Sequence, residues 1–327
     1  MAHPCEPPLF SVIIPCYNRA HFLPETIASV IVQHISNLEL IIVNDGSTDN
    51  TTDVVCRLIN DNLTCNIRLL EQNNQGQAAA RNSGIALSSG QWIVALDSDD
   101  ILAEGFLIAV EKAAINEPQA NVFTGAYKEF GARKSEWKLT NFNPERLKTR
   151  CNILCCSPFR RTLWEAVGGY DASHPFGWED MHFWLKCLSV GLKLVSLPLP
   201  MLYYRIHEGN IHSFYEKFQE DGLAMHHCML PGIYSKQDIS TAHNRLMCMD
   251  QATYNALHKK ITTHPNLPLP YFWLGLAHEG RGEYKEALQF YATAMHFSWT
   301  GSWQVRERIE GIHSEATYKN SGLGPKL

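Results

Sequence analysis

Over the first hundred positions, short unbroken apolar runs alternate with stretches in which apolar residues recur every three or four positions. Phe10-Ser11-Val12-Ile13-Ile14-Pro15 is a β-branched run stopped by a proline that cannot donate to a sheet ladder, and it predicts a buried strand ending at Pro15. The loop Cys16-Tyr17-Asn18-Arg19 follows, and His21 to His34 carries Phe22, Ile27, Val30 and Ile31 with helical spacing. The same unit recurs, with Leu38 to Val43 as strand, Asn44 to Asp49 as polar turn and Asn50 to Ile59 as helix, then Ile67 to Leu70 as strand and Gly76 to Leu87 as helix. The fourth strand lies in Gly90 to Asp100, where Trp92-Ile93-Val94-Ala95-Leu96 reads as buried on both faces and is followed by Asp97-Ser98-Asp99-Asp100. Strand and helix alternating in this way predict an α/β chain with a doubly wound, mostly parallel sheet. Ligands in such sheets lie outside the carboxyl ends of the strands, and Pro15, Asp45 and Asp97 all stand at such ends.

Farther on, a helix is expected from Phe106 to Ala114, a strand from Asn121 to Phe130, and strands at Leu192 to Leu197 and Met201 to Arg205. Gly131 to Arg150, with six Lys or Arg against Glu136 and Glu145, reads as a mildly basic solvated insertion. Phe214 to Ile261 is expected to be helical and Pro265 to Pro270 to be a linker.

With 327 residues, 45% of them hydrophobic and 19% charged, the chain has ample material for a core. A net charge of -5 argues against a sequence-independent hold on nucleic acid. The N-terminus lacks a secretory pattern and no apolar stretch is long enough to span a bilayer, so a cytoplasmic location is expected, with a peripheral place at a membrane left open. The ten cysteines show no zinc-type spacing, and Cys151, Cys155 and Cys156 read as free thiols.

Three acids at a strand end repel one another unless something positive compensates them, and a divalent cation with oxygen ligands is one solution. The alternative is a turn and helix cap in which the same side chains accept from free backbone amides. Four motifs in order bear on the choice: Ser11 to Asn18; Val43 to Asp49; Asn74-Gln75-Gly76 with Ala80-Arg81-Asn82-Ser83-Gly84; and Leu96 to Asp100. Together they closely resemble the family 2 glycosyltransferases of the GT-A fold.

The resemblance implies a nucleoside diphosphate sugar donor, usually a uridine diphosphate sugar, bound by the first half of the chain. It makes Pro15 and Tyr17 walls of the base pocket, Asp45 the acceptor for the base's ring N–H, Arg81 a cationic contact near the nucleotide, and Asn18 and Ser98 further nucleotide-sugar-binding residues. Asp97 would face the ribose or the metal, and Asp99 would ligate Mn2+ or Mg2+. Helix capping for Asp45 and a surface ion pair for Arg81 stay open as bland alternatives.

A second signature, Val167-Gly168-Gly169-Tyr170-Asp171 followed by Phe176-Gly177-Trp178-Glu179-Asp180 and Phe183-Trp184, resembles the family's acceptor-side motif. It implies Asp180 as catalytic base with Glu179 beside it and Trp178 among the aromatic faces offered to a sugar, although an acid opening a helix also caps it. Tyr203 to Ser213 resembles a segment that closes the site, with Arg205 near the diphosphate and His207 as a third metal or phosphate ligand; Asn210 and His212 depart from the family there. The expected layout is a nucleotide-sugar half at 1–110, an acceptor half at 111–213 and a helical region at 214–327. Residues 270–297 resemble one tetratricopeptide repeat, which must cover its face with the transferase body, a helical neighbour or another chain. The implied activity is metal-dependent, inverting transfer of a sugar to a saccharide or other hydroxyl acceptor by single displacement. The alternative is a catalytically weak GT-A protein serving as a nucleotide-sugar-binding or partner-docking module. A dinucleotide oxidoreductase lacks support, since the first turn has no glycine.

Overall fold

The structure is a computed structural model that describes residues 9–62, 66–139, 141–172, 178–207, 219–230, 232–263, 265–297 and 302–320. It divides into two compact units, with the described residues up to 207 in the first and those from 219 onward in the second.

In the first unit, β1 (Phe10–Cys16), β2 (Leu38–Asp45), β3 (Asn66–Gln72) and β4 (Trp92–Ala95) form the parallel array β3-β2-β1-β4. Phe10 is level with both Leu38 and Trp92. Val12, Ile13, Ile14, Ile41, Ile42, Val43 and Val94 are fully buried, and each such side chain contributes roughly 1.5–3 kcal/mol of transfer free energy. The connecting helices are α1 (Leu23–Ile31), α2 (Thr51–Asp61) and α3 (Gln77–Leu87). α3 lies unusually close to the sheet: a Cβ at Gly84 would stand 2.5 Å from Ile13 Cγ2 and 2.9 Å from Val43 Cγ2. That approach sets the depth of Arg81, one turn earlier on the same helix.

Past β4 the sheet becomes mixed. β5 (Ile101–Leu102), α4 (Phe106–Asn116), β6 (Val122–Gly131), β7 (Lys138–Leu139), α5 (Pro144–Leu147), β8 (Phe159–Arg160), α6 (Arg161–Val167), α7 (Glu179–Ser189) and β9 (Leu194–Ile206) follow in order. β8 runs antiparallel to β4 and β6, β9 parallel to β6, and β5 antiparallel to β9. Two expectations are corrected here. The strands predicted at 192–197 and 201–205 are one strand, β9, which passes through Pro198 and Pro200 because a bulge relieves the ladder: Ser196 faces Thr124 and Pro200 faces Ala126, four residues against two. The insertion at 131–150 is not all loop, since it holds β7 and α5.

The second unit is helical: α8 (Gln219–Met229), α9 (Lys236–Met247), α10 (Gln251–Thr263), α11 (Pro268–Gly280), α12 (Tyr284–His296) and α13 (Ser302–Asn320). The single helical stretch expected to Ile261 is three helices, separated by polar caps that outcompete continuation. Ser235 Oγ accepts from Asp238 N at 3.1 Å while Asp238 Oδ2 accepts from Ser235 N at 3.0 Å, and Asp250 Oδ1 accepts from Thr253 N at 2.7 Å. The expected linker is also shorter than read, because Pro268 opens α11, where a missing N–H costs nothing. α11 and α12 pack face to face, Gly275 admitting Tyr291 so closely that a Cβ would lie 2.3 Å from its ring. Their apolar face is covered by helical neighbours, through Met225, Leu246, Leu257 and Val305. No helix among the described residues is long and apolar enough to cross a membrane.

Candidate active site

The loops after β1 and β2 are tied to each other. Asn18, held at φ +54°, accepts at Oδ1 from Thr48 N (2.7 Å) and Asp49 N (3.2 Å), and its own N–H donates to Ser47 Oγ at 3.0 Å. An Asn tolerates this left-handed backbone, which turns the chain back between a buried Pro15 and a Tyr17 that is 45% exposed. Asp45, at the end of β2, is buried; its Oδ1 accepts from Gln72 Nε2 (2.7 Å) and Gln75 N (2.9 Å), and its Oδ2 from Gly76 N (2.8 Å). It therefore pins the segment that starts α3.

The acids after β4 are handled in three different ways. Asp97 Oδ1 accepts from Arg81 Nη2 and Gln77 Nε2, both at 2.7 Å, and Cys155 Sγ lies 3.4 Å from its Oδ2. Asp100 is buried, accepts Arg205 N at 2.8 Å, and has its carboxyl pushed well above the usual range by that burial and then by Asp99 and Asp97. Asp99 is partly exposed, with His207 Nε2 at 3.0 Å and Arg19 Nε at 3.9 Å from the same oxygen, Oδ2. Ser98 is buried, and its carbonyl accepts from Thr26 Oγ1 at 3.0 Å.

Arg81 is 1% exposed and joins the two halves of the site. Its Nη1 donates to Glu179 Oε1 at 2.5 Å and its Nη2 to Asp97, with the Tyr170 ring 5.4 Å from the guanidinium carbon. Glu179 is buried and taken up by this pair. Asp180, beside it, is only partly buried; Met181 N donates to its Oδ1 at 2.7 Å, and Cys151 Sγ is 3.9 Å from Oδ2. Burial, and after it the Glu179 charge, raises the Asp180 carboxyl to about 6. His182, two residues on, is held near 4 by burial and so stays neutral at physiological pH. Trp178 precedes the helix at φ +65°, an uncommon conformation for a bulky residue.

Of the sequence-predicted residues, the structure brings Arg81, Asp97 and Glu179 together and places His207 on Asp99, with several in unexpected roles. Arg205 donates to the Asp99 carbonyl at 2.7 Å and to Glu25 Oε2 at 2.5 Å while stacked between Phe22 and Phe130, so in this structure it holds the Asp99 turn. Phe183 and Trp184 are corrected: both are fully buried against Phe159 and present no face to a sugar, because helical period turns them into the core. Phe176, Asn210 and His212 lie outside the described residues. Sequence reasoning missed Asn82, Gln77, Cys155 and Arg19. Asn82 accepts from Trp164 Nε1 (3.1 Å) and Tyr170 N (2.9 Å) and donates to Tyr170 O (2.8 Å), fixing the Gly168-Gly169 corner to α3. Gln77 was within reach of sequence reasoning, since it stands four residues before Arg81 on the same helix face.

As to a metal, Asp99 and His207 offer one carboxylate and one imidazole, a donor set suited to a hard cation that takes its other ligands from phosphate and water. No group of three or more His, Cys, Asp or Glu side chains placed to hold a metal exists among the described residues, and Asp97 is turned to Arg81.

Residues 11–168 match the family model described as Glycosyl transferase family 2. The Escherichia coli UDP-Glc:alpha-D-GlcNAc-diphosphoundecaprenol beta-1,3-glucosyltransferase WfaP is 29% identical over 260 residues, 77% of this chain and 95% of that protein. Glycosyltransferase GlyG of Streptococcus pneumoniae is 37% identical over 121 residues, which is 36% of this chain and only 39% of GlyG. Among solved structures, S. aureus TarS 1-349 in complex with UDP-GlcNAc superimposes with a TM-score of 0.56 at 19% identity, covering 88% of this chain and 91% of that one. At that identity the likeness bears on the fold, which is GT-A-like. Taken together with the fold, these matches make the chain a glycosyltransferase, whose residues 11–168 match the family 2 model.

Proposed function

We propose that the protein moves a sugar from a uridine diphosphate sugar to a hydroxyl acceptor, with inversion, in a single displacement for which Asp180 is the general base. The observation that carries this reading is the division of the acid pair opening α7: Glu179 is bound to Arg81, whereas Asp180 forms no ion pair among the described residues and burial raises its carboxyl to about 6. A base poised near the working pH is the more effective one, because it is both deprotonated and basic enough to take a proton. WfaP, named for a UDP-Glc donor, and TarS, solved with UDP-GlcNAc, support the choice of uridine.

In this reading Tyr17 and Pro15 flank the uracil, and Asp45 Oδ2, which accepts a single backbone N–H, offers its remaining lone pair to the base's ring N–H. Asp97 Oδ2 faces the ribose, Asp99 and His207 hold Mn2+ or Mg2+, and Trp178 lies beside the transferred sugar. A divalent cation bound there supplies charge neutralisation for the departing diphosphate. The chain's own task is to hold the acceptor oxygen against the anomeric carbon and to receive its proton on Asp180 as the new bond forms. The C-terminal helix pair, tetratricopeptide-like in sequence, is assigned to docking an acceptor or partner. The test is a thermal-shift panel of UDP, GDP and dTDP sugars with Mn2+, followed by assay of nucleotide release. Stabilisation by UDP sugars and its absence with the others is expected; the reverse order overturns the uridine assignment.

A further inference from the structure

Asp99 is faced by nitrogen-bearing side chains from two elements that the sequence keeps far apart: His207 at the end of β9 and Arg19 in the loop between β1 and α1. The Arg19 side chain is 29% exposed, and its other bond is from Nη1 to the neighbouring Asn18 carbonyl at 3.3 Å. Asn18 in turn is fixed on the β2 loop, so the guanidinium stem leaves a rigid corner beside the acid. At 3.9 Å the Arg19–Asp99 contact is a loose pairing of charges that a stronger anion will outcompete. Neither Arg68, on Glu39, nor the fully buried Arg81 has this freedom.

We propose that Arg19 is a diphosphate-binding residue of the donor site, held in waiting by Asp99 and turned onto a non-bridging phosphate oxygen when the nucleotide sugar enters. The inference rests on the donor reading above and adds a residue to it. Arg19 is suited to the task by its reach, its permanent charge and the planar fork that matches a phosphate edge. It also explains how the pocket keeps Asp99 compensated in both states. With the site empty, Arg19 and His207 share the acid. With a diphosphate present, Arg19 follows the larger negative charge and leaves Asp99 free to ligate.

The experiment compares the full chain with Arg19→Gln and Arg19→Lys by calorimetry against UDP, inorganic pyrophosphate and uridine, in Mn2+ buffer. Losing a charge-assisted hydrogen bond typically weakens binding on the order of 10- to 100-fold. Arg19→Gln should therefore lose about tenfold or more in affinity for UDP and for pyrophosphate alike and keep its affinity for uridine, while Arg19→Lys, which keeps the charge without the fork, should lose less than Arg19→Gln. Unchanged pyrophosphate affinity in Arg19→Gln overturns the proposal, as does an equal loss for uridine, which would mean that the loop itself had moved. A parent protein that binds pyrophosphate but not UDP refutes the nucleotide reading and leaves the Arg19 comparison decisive; one that binds neither refutes both.

Discussion

At the residue scale, Asp180 carries the strongest expectation. Asp180→Asn keeps the shape but cannot take a proton, so donor affinity should persist while transfer falls by roughly two to four powers of ten; donor calorimetry beside a product-release assay checks it. Glu179→Gln should lower transfer too, by unbalancing Arg81 and so the position of Asp97, whereas a loss seen there alone would move the base one residue back. The rate of the parent enzyme should decline as pH falls through about 6, where Asp180 gains a proton. The same shift has a stability consequence of opposite sense. The folded-state value lies above the unfolded one, near 3.8, so the group's contribution to stability is complete below that value and is lost as pH rises through about 6. Asp180→Asn removes that loss and should be more stable than the parent at pH 7.5, on the order of 1 kcal/mol, with the difference gone at pH 4. Thermal melts at the two pH values decide it. Asp45→Ala removes the acceptor of Gln75 N and Gly76 N as well as that of the base's N–H, so UDP affinity should fall about 10- to 100-fold; equal affinity by calorimetry would remove Asp45 from the pocket.

At the scale of elements, α3 is what ties the loop after β4 to the start of α7 and to the Gly168–Gly169 corner. Arg81 and Asn82, adjacent on one helix, reach Asp97 and Glu179 in one direction and the Gly169–Tyr170 backbone in the other. Their registration depends on Gly84, and Gly84→Val should push α3 off Ile13 and Val43, costing about 1–3 kcal/mol by overpacking and a disproportionate share of activity. Denaturant melts that match the parent would contradict this. The elements before β5 were legible because period and terminator agree there: apolar runs end at Pro15, at Asp45 and at Asp97. The later ones were less so. β9 contains two prolines, a local signal for two strands that a bulge against β6 overrides. At the site, residue types were readable from their motifs and the partners were not, since Arg81–Glu179 and Asn82–Tyr170 are contacts between positions 98 and 88 residues apart. Nothing local to Arg81 indicates that it pairs with a buried acid.

At the scale of the whole molecule, the two units have separate apolar interiors, one centred on Val12, Ile42 and Val94, the other on Phe272, Leu274 and Tyr291. Cutting the chain at residue 264 would leave Met225, Leu246 and Leu257 without α11 and α12, and that protein should aggregate. A chain of residues 1–211 keeps β1 through β9 and His207, and should still be stabilised by UDP with Mn2+ in a thermal-shift assay. Failure of the shorter chain to melt cooperatively would show that the helices complete the first unit.

The 98-residue separation between Arg81 and Glu179 also has a consequence during synthesis. At ~5–20 residues per second, Glu179 leaves the ribosome roughly 5–20 seconds after Arg81. Asp97 follows Arg81 by only 16 residues, so the growing chain can assemble β1 to β4 around a half-made clamp while α7 is still to be translated. A nascent chain stalled after β4 therefore holds one half of the Arg81 clamp and lacks Glu179 and Asp180 of α7 as well as Arg205 and His207 at the end of β9, which complete the first unit only later.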